Sequence, residues 1–166
     1  MNIKYICGKY RIKNYTVNSD GSIDVDGNVY LDNRKLTKLP LKFNNVNGSF
    51  YCPYNKLTTL EGSPKSIMGS FDCSNNRLTD LKNSPKYVFG NFYCGGNLLK
   101  TLSGSPDKVD GNFYCKKNKL ITNKSKTKLK GLFYTTFLED GLLKSNYNKW
   151  NIKQRRKSII NKLLKK

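Results

Sequence analysis

The chain has 166 residues and carries 31 Lys and Arg against 11 Asp and Glu, a formal charge of +20, with five Cys, one Trp, eleven Tyr and no His. Its apolar fraction of 37% is too high for a disordered polycation and low for a globule built on one central core, so one domain that economises on core is expected. The absence of His removes the commonest general base, the usual serine and cysteine triads and the His-containing zinc sites, which disfavours most enzyme classes.

Residues 1–26 read as an N-terminal β cap. The stretch Asp20-Gly-Ser-Ile-Asp-Val-Asp-Gly27 alternates like a strand and predicts a hairpin turning at Asp20-Gly21, while its acids miss the EF-hand spacing for calcium. The start, Met-Asn-Ile-Lys-Tyr-Ile-Cys-Gly-Lys, has no signal-peptide core, and no apolar run approaches the roughly 18 residues of a membrane span. A cytoplasmic protein with reduced thiols is therefore expected.

Residues 27–137 are organised by a repeat. Gly-Ser-Phe-Tyr-Cys at 48–52, Gly-Ser-Phe-Asp-Cys at 69–73 and Gly-Asn-Phe-Tyr-Cys at 90–94 and 111–115 recur with a period of 21 residues. Asn55, Asn76, Asn97 and Asn118 follow in the same frame, then Leu57, Leu78, Leu99 and Leu120, then Leu60, Leu81 and Leu102, Pro64, Pro85 and Pro106, and Ile67, Val88 and Val109. A weaker copy precedes these, with Gly27, Val29, Leu31, Leu36, Leu39 and Val46 in frame and Arg34 in place of the Asn. Another follows at Gly131-Leu-Phe-Tyr-Thr135, after Ile121-Thr-Asn-Lys has broken the frame. The pattern predicts a solenoid of about six 21-residue rungs with a parallel sheet on one face. Phe and Cys point inward, and the residue between them points out. The inward Asn is expected to bond main-chain groups left unpaired where strand becomes loop.

Residues 138–166 are expected to form a basic C-terminal helix. From Ser145 onward it lacks Gly and Pro and places Ile152, Ile159 and Leu163 on one helical face, which predicts a helix that either caps the solenoid or binds a partner. The expected fold is thus mainly β with a C-terminal helix.

The frame Phe71-Asp-Cys-Ser-Asn-Asn-Arg-Leu-Thr-Asp-Leu81 resembles the Leu-x-Leu-x-x-Asn-x-Leu signature of leucine-rich repeats. The tail Glu61-Gly-Ser-Pro-Lys-Ser-Ile-Met-Gly-Ser-Phe71 resembles, more narrowly, the short leucine-rich repeats of many bacteriophage-encoded proteins. The resemblance covers roughly residues 20–137. It implies a leucine-rich-repeat solenoid, a binding surface rather than a particular chemistry, and a phage protein working in the host cytoplasm.

Cys52, Cys73, Cys94 and Cys115 fall one per rung, so a buried ladder of thiols is expected instead of a metal cluster, and no cofactor is expected; Cys7 has no assignment. The outward position between Phe and Cys reads Tyr30, Tyr51, Asp72, Tyr93, Tyr114 and, by register, Tyr134. Such a row either supports the strands by cross-strand contact or forms an aromatic stripe for a partner protein, and Asp72 disfavours phosphate along it. Charge is uneven. Residues 48–110 carry seven basic and five acidic side chains, a net of +2, whereas residues 111–166 carry sixteen and two, a net of +14. Lys116, Lys117, Lys119, Lys124, Lys126, Lys128 and Lys130, with Lys149, Trp150, Lys153, Arg155, Arg156 and Lys157, are the candidate contacts for nucleic acid or an acidic partner. A membrane surface fits less well because the apolar face is short. The expected function is a non-enzymatic protein-binding module, a phage-encoded inhibitor or modulator of a host nucleoprotein machine such as a CRISPR effector or polymerase. The alternative is a direct DNA- or RNA-binding protein using the basic C-terminal third.

Overall fold

Pairs of apolar residues separated by one outward side chain can form only very short strands, and the chain uses them in that form. The computed structural model describes residues 2–120, 127–129, 131, 133–139 and 142–147. Helix α1 (Ile3–Tyr10) is followed by β1 (Tyr15–Val17), β2 (Ile23–Val25), β3 (Val29–Tyr30), β4 (Phe43–Val46), β5 (Phe50–Tyr51), β6 (Ser66–Ile67) and β7 (Phe71–Asp72). Then come β8 (Tyr87–Val88), β9 (Phe92–Tyr93), β10 (Lys108–Val109), β11 (Phe113–Tyr114), β12 (Lys128–Leu129), β13 (Phe133–Glu139) and β14 (Leu142–Tyr147).

These strands build a β-solenoid. Val29 pairs with Phe50, Phe50 with Phe71, Phe71 with Phe92 and Phe92 with Phe113, four successive steps of 21 residues, all parallel. The last step, Phe113 to Phe133, spans 20. The regular winding therefore runs for four turns and not six. The weak first and last copies contribute the flanking strands β3 and β13, because the first is preceded by a hairpin and the last runs straight into one.

Two sheets are present where one was expected. One has the order β1-β2-β4-β6-β8-β10-β12 and the other β14-β13-β11-β9-β7-β5-β3. The segment before each Gly, as in Ser66-Ile67, pairs in register with its neighbours as fully as the Phe-containing strand does. Ile67, Val88 and Val109 are β-branched and buried, and this suits them to a strand outside the one sheet that the sequence pattern predicts.

Between the sheets the side chains stack in columns. Phe50, Phe71, Phe92 and Phe113 are fully buried, with successive ring centroids 5.7, 5.5 and 4.9 Å apart. The Cys column and the two Leu columns are equally buried. At about 1.5–3 kcal/mol for each buried Phe or Leu, the columns supply most of the stabilisation, and each turn obtains it from its neighbours. At the corner joining the sheets the turns approach so closely that only glycine fits. Gly69 donates its N–H to the Gly48 carbonyl and Gly90 to that of Gly69, both at 2.8 Å. A Cβ on Gly90 would lie 2.7 Å from the Gly69 carbonyl. Gly90→Ala is expected to lower stability by about 1–3 kcal/mol, as overpacking does. In contrast, Gly8→Ala in α1, where a Cβ meets nothing within 4 Å, should be neutral or stabilising by up to about 1 kcal/mol. Urea denaturation of the two variants checks both.

Both ends depart from the expectation. The N-terminal segment opens on a helix, capped by the Asn2 side chain accepting from the Tyr5 N–H at 3.1 Å and ended by Arg11 in the left-handed conformation. Its Ile3, Ile6, Cys7 and Tyr10 share one face and pack against the core. Only then comes the β1–β2 hairpin, whose Asn18–Ser22 turn is held by the Asp20 carboxylate accepting from the Ser22 N–H and by Gly21 at φ +73°. At the other end, residues 138–147 fall within the segment expected to be helical, but β13 and β14 are antiparallel strands with Glu139 opposite Leu142. The two residues left between them are Asp140-Gly141, a strong hairpin signal that ends any helix starting there. The rest of the expected helix falls on residues 148–166, which lie outside the described residues.

Candidate functional site

Strand register puts Tyr30, Tyr51, Asp72, Tyr93 and Tyr114 in one column on the outer face of the second sheet, and Tyr134 follows by backbone pairing with Tyr114. Tyr30 is exposed, and Tyr51, Asp72, Tyr93 and Tyr114 are half-buried. The rings form two stacks. Tyr30 and Tyr51 lie 5.3 Å apart with planes 8° from parallel, and Tyr93 and Tyr114 lie 4.7 Å apart at 7°. The Nδ2 groups of Asn28, Asn91 and Asn112 donate to the hydroxyls of Tyr30, Tyr93 and Tyr114, each at 3.0 Å. Those three rings are thus held before any partner arrives, which lowers the entropic cost of binding to them. Partial burial raises the Tyr93 hydroxyl pKa above its ordinary value, with Tyr114, Asp72 and Tyr51 adding to the effect and the bond from Asn91 opposing it.

The Asn column beneath this face holds successive turns together. Asn76 Nδ2 donates to the carbonyls of Cys52 at 2.9 Å on the preceding turn and Cys73 at 3.1 Å on its own, while its Oδ1 accepts from the Leu57 N–H at 3.0 Å. Asn55, Asn97 and Asn118 repeat the arrangement. This is the bridging of strand-to-loop main chain expected of that residue.

The basic candidates divide. Lys116 is half-buried in the column next to the tyrosines, Lys117 takes a left-handed backbone conformation, Lys119 is exposed, and Lys128 is exposed on β12 opposite Lys108. Lys124, Lys126, Lys130, Lys149, Trp150, Lys153, Arg155, Arg156 and Lys157 lie outside the described residues. One alignment of charge escaped sequence reasoning. The residue between the Asn and Leu of each copy is exposed and reads Lys35, Lys56, Arg77, Leu98 and Lys119, one per turn. Its ladder bonds, such as Arg77 N–H to the Leu57 carbonyl at 2.9 Å, stack it along the solenoid. Reading the copies in columns would have exposed it.

The cysteines are free thiols buried in the core, including Cys7 on α1. Burial pushes the Cys52, Cys73 and Cys94 thiols well above the ordinary range, with the Asp72 charge as a smaller contribution in each case. Among the described residues no three His, Cys, Asp or Glu side chains gather where they could hold a metal ion. The acids of the first hairpin are engaged. The Asp20 carboxyl is held below the usual carboxylate range by Lys42, 2.8 Å away, and by Ser22, and the Asp24 carboxylate accepts from Asn44 and Asn45. Among the described residues no helix is long and apolar enough to cross a membrane. Comparison with protein-family models, with curated proteins and with solved structures finds no match to this chain.

Proposed function

We propose that the protein is a non-enzymatic binding module that docks another protein against its tyrosine column, with the basic C-terminal third steering an acidic or nucleic-acid-bound partner. The observation that carries this reading is the pair of stacked tyrosine couples on an outer face, with three hydroxyls already tethered by Asn side chains. Tyrosines offered in this way give large contact area at low entropic cost. A non-enzymatic role is supported by the repeat thiols, which burial keeps protonated and out of reach of a substrate, and by the lack of His. The resemblance of the repeat frame to phage-encoded leucine-rich repeats extends the reading to a phage inhibitor or modulator of a nucleoprotein machine in the host cytoplasm.

The test is capture of a partner from nuclease-treated bacterial lysate by the full chain and by a Tyr51→Ala/Tyr93→Ala variant. Two interface tyrosines at about 2 kcal/mol each predict a loss of at least 100-fold in affinity. Equal capture by both proteins would overturn the docking face. A second reading, direct binding of DNA or RNA, is favoured by the column Lys35, Lys56, Arg77 and Lys119 beside Lys116 and Lys117. If six or more phosphates are neutralised, affinity for a single-stranded oligonucleotide should fall at least about 300-fold between 50 and 200 mM salt, and Lys56→Glu/Arg77→Glu should weaken it further. Binding indifferent to salt removes that reading.

A further inference from the structure

Among the described residues the tyrosine column has one gap. Asp72 pairs with Tyr51 on one side and Tyr93 on the other, so it occupies the place where a ring would join the two stacks into one. Neighbouring strands lie about 4.8 Å apart, so Tyr51 and Tyr93 spring from strands about 10 Å apart with only a short carboxylate between them. That height takes one planar group stacked on both sides, at the spacing the existing pairs show.

Flanking the gap on the same turn are Ser70 and Ser74, as Ser49 and Pro53 flank Tyr51 and Asn91 and Gly95 flank Tyr93. Ser74 donates its N–H at 2.8 Å and its hydroxyl at 2.6 Å to Asp72 Oδ1. Among the described residues nothing hydrogen-bonds Oδ2. The gap therefore has a negative floor and two aromatic neighbours, which together select a cation, and its one-ring height selects a flat one over a tetrahedral ammonium. The surrounding turns, residues 48–110, carry a net charge of only +2, so the strong positive charge of the C-terminal third does not bar an incoming cation at this point.

We infer that the notch between Tyr51 and Tyr93 receives an arginine side chain of the partner protein, its guanidinium stacked between the two rings and hydrogen-bonded to Asp72. The inference rests on the reading of the tyrosine column as a protein-docking face, and it names the group that face selects.

Amide shifts of the isotope-labelled full chain, titrated with the blocked peptide acetyl-Gly-Arg-Gly-amide and with its neutral citrulline isostere, test it. Saturable shifts centred on Tyr51, Asp72, Ser74 and Tyr93 are expected for the arginine peptide, with citrulline at least about tenfold weaker and the lysine peptide in between. Asp72→Asn should weaken the arginine peptide about tenfold. Asp72→Tyr, which restores the residue found on neighbouring turns and so keeps the fold, should abolish binding. Equal binding of arginine and citrulline peptides, or binding unchanged in Asp72→Asn, overturns the inference. Binding that appears only after Arg155→Gln/Arg156→Gln makes the chain's own C-terminal segment the occupant and likewise overturns it. If Asp72→Asn captures the partner as well as the native chain while Tyr51→Ala/Tyr93→Ala does not, the notch fails and the docking face stands. If peptide binding depends on Asp72 while capture is indifferent to both tyrosines, the docking face fails and the inference, which names a group of the docked partner, falls with it.

Discussion

Replacing Asn76 by Ala is expected to destabilise the solenoid by about 2–6 kcal/mol, a large fraction of the stability of a domain this size. The side chain satisfies the Leu57 N–H and the Cys52 and Cys73 carbonyls, and it sits buried among fully buried neighbours where water cannot replace it. The Leu57 N–H is orphaned, at about 1–3 kcal/mol, while the Cys52 and Cys73 carbonyls, which keep bonds from Asn55 at 3.1 Å and Asn97 at 3.0 Å, each lose one bond worth about 0.5–1.5 kcal/mol. Because two of the three belong to the preceding turn, the loss falls on the interface between turns, which is where a solenoid's cooperativity resides. Arg77→Ala, one residue away but exposed, should change stability by no more than about 0.5 kcal/mol. Urea titrations followed by far-UV circular dichroism measure both. A cost below about 1 kcal/mol for Asn76→Ala would mean that the amide bridge is not what binds one turn to the next.

The 21-residue frame made the interior legible, because a column of identical residues at a fixed period has one natural reading: Phe over Phe, Cys over Cys, Asn over Asn. What it left unread follows from strand length. Two-residue strands such as Ser66-Ile67 carry no alternation of their own, so the sheet they build emerges only when the copies are stacked. Helix α1 spans eight residues and contains Gly8 and two β-branched isoleucines, so its propensity is poor and packing of Ile3, Ile6, Cys7 and Tyr10 decides the matter. The Asp140-Gly141 pair, in contrast, was a readable hairpin signal that the charge-rich tail beyond it obscured. At the candidate site the tyrosine row was legible, including its interruption at Asp72. Its division into two stacks was not, because ring stacking is a contact between turns, and the tethering Asn28, Asn91 and Asn112 lie two residues away from the rings they hold. The row of Lys35, Lys56, Arg77 and Lys119 was hidden by summing charge along segments, since the field of a solenoid is organised across turns.

Raising the pH from 8 to 10 is expected to remove about 4–6 kcal/mol of stability, through the buried thiols of Cys52, Cys73 and Cys94. In the unfolded chain these ionise near pH 8.5, whereas burial in the folded solenoid keeps them protonated far above that. Above the unfolded value the folded state binds more protons than the unfolded one, so stability falls with pH by about 1.4 kcal/mol per unit for each thiol. Below it both states are protonated and the full stability is present. The same property makes the repeat thiols inert: a thiol reagent at pH 8 should find none of them in the native protein, and all five cysteines after denaturation. Tyrosines and lysines also titrate in this window, so the attribution rests on a variant. Cys73→Ala/Cys94→Ala should start less stable, having lost packing in the core, yet lose about two-thirds less of the thiol-linked stability between pH 8 and 10. Urea-derived stabilities of the two proteins at both pH values decide it. Parallel curves would show that the thiol column takes no part in the alkaline transition.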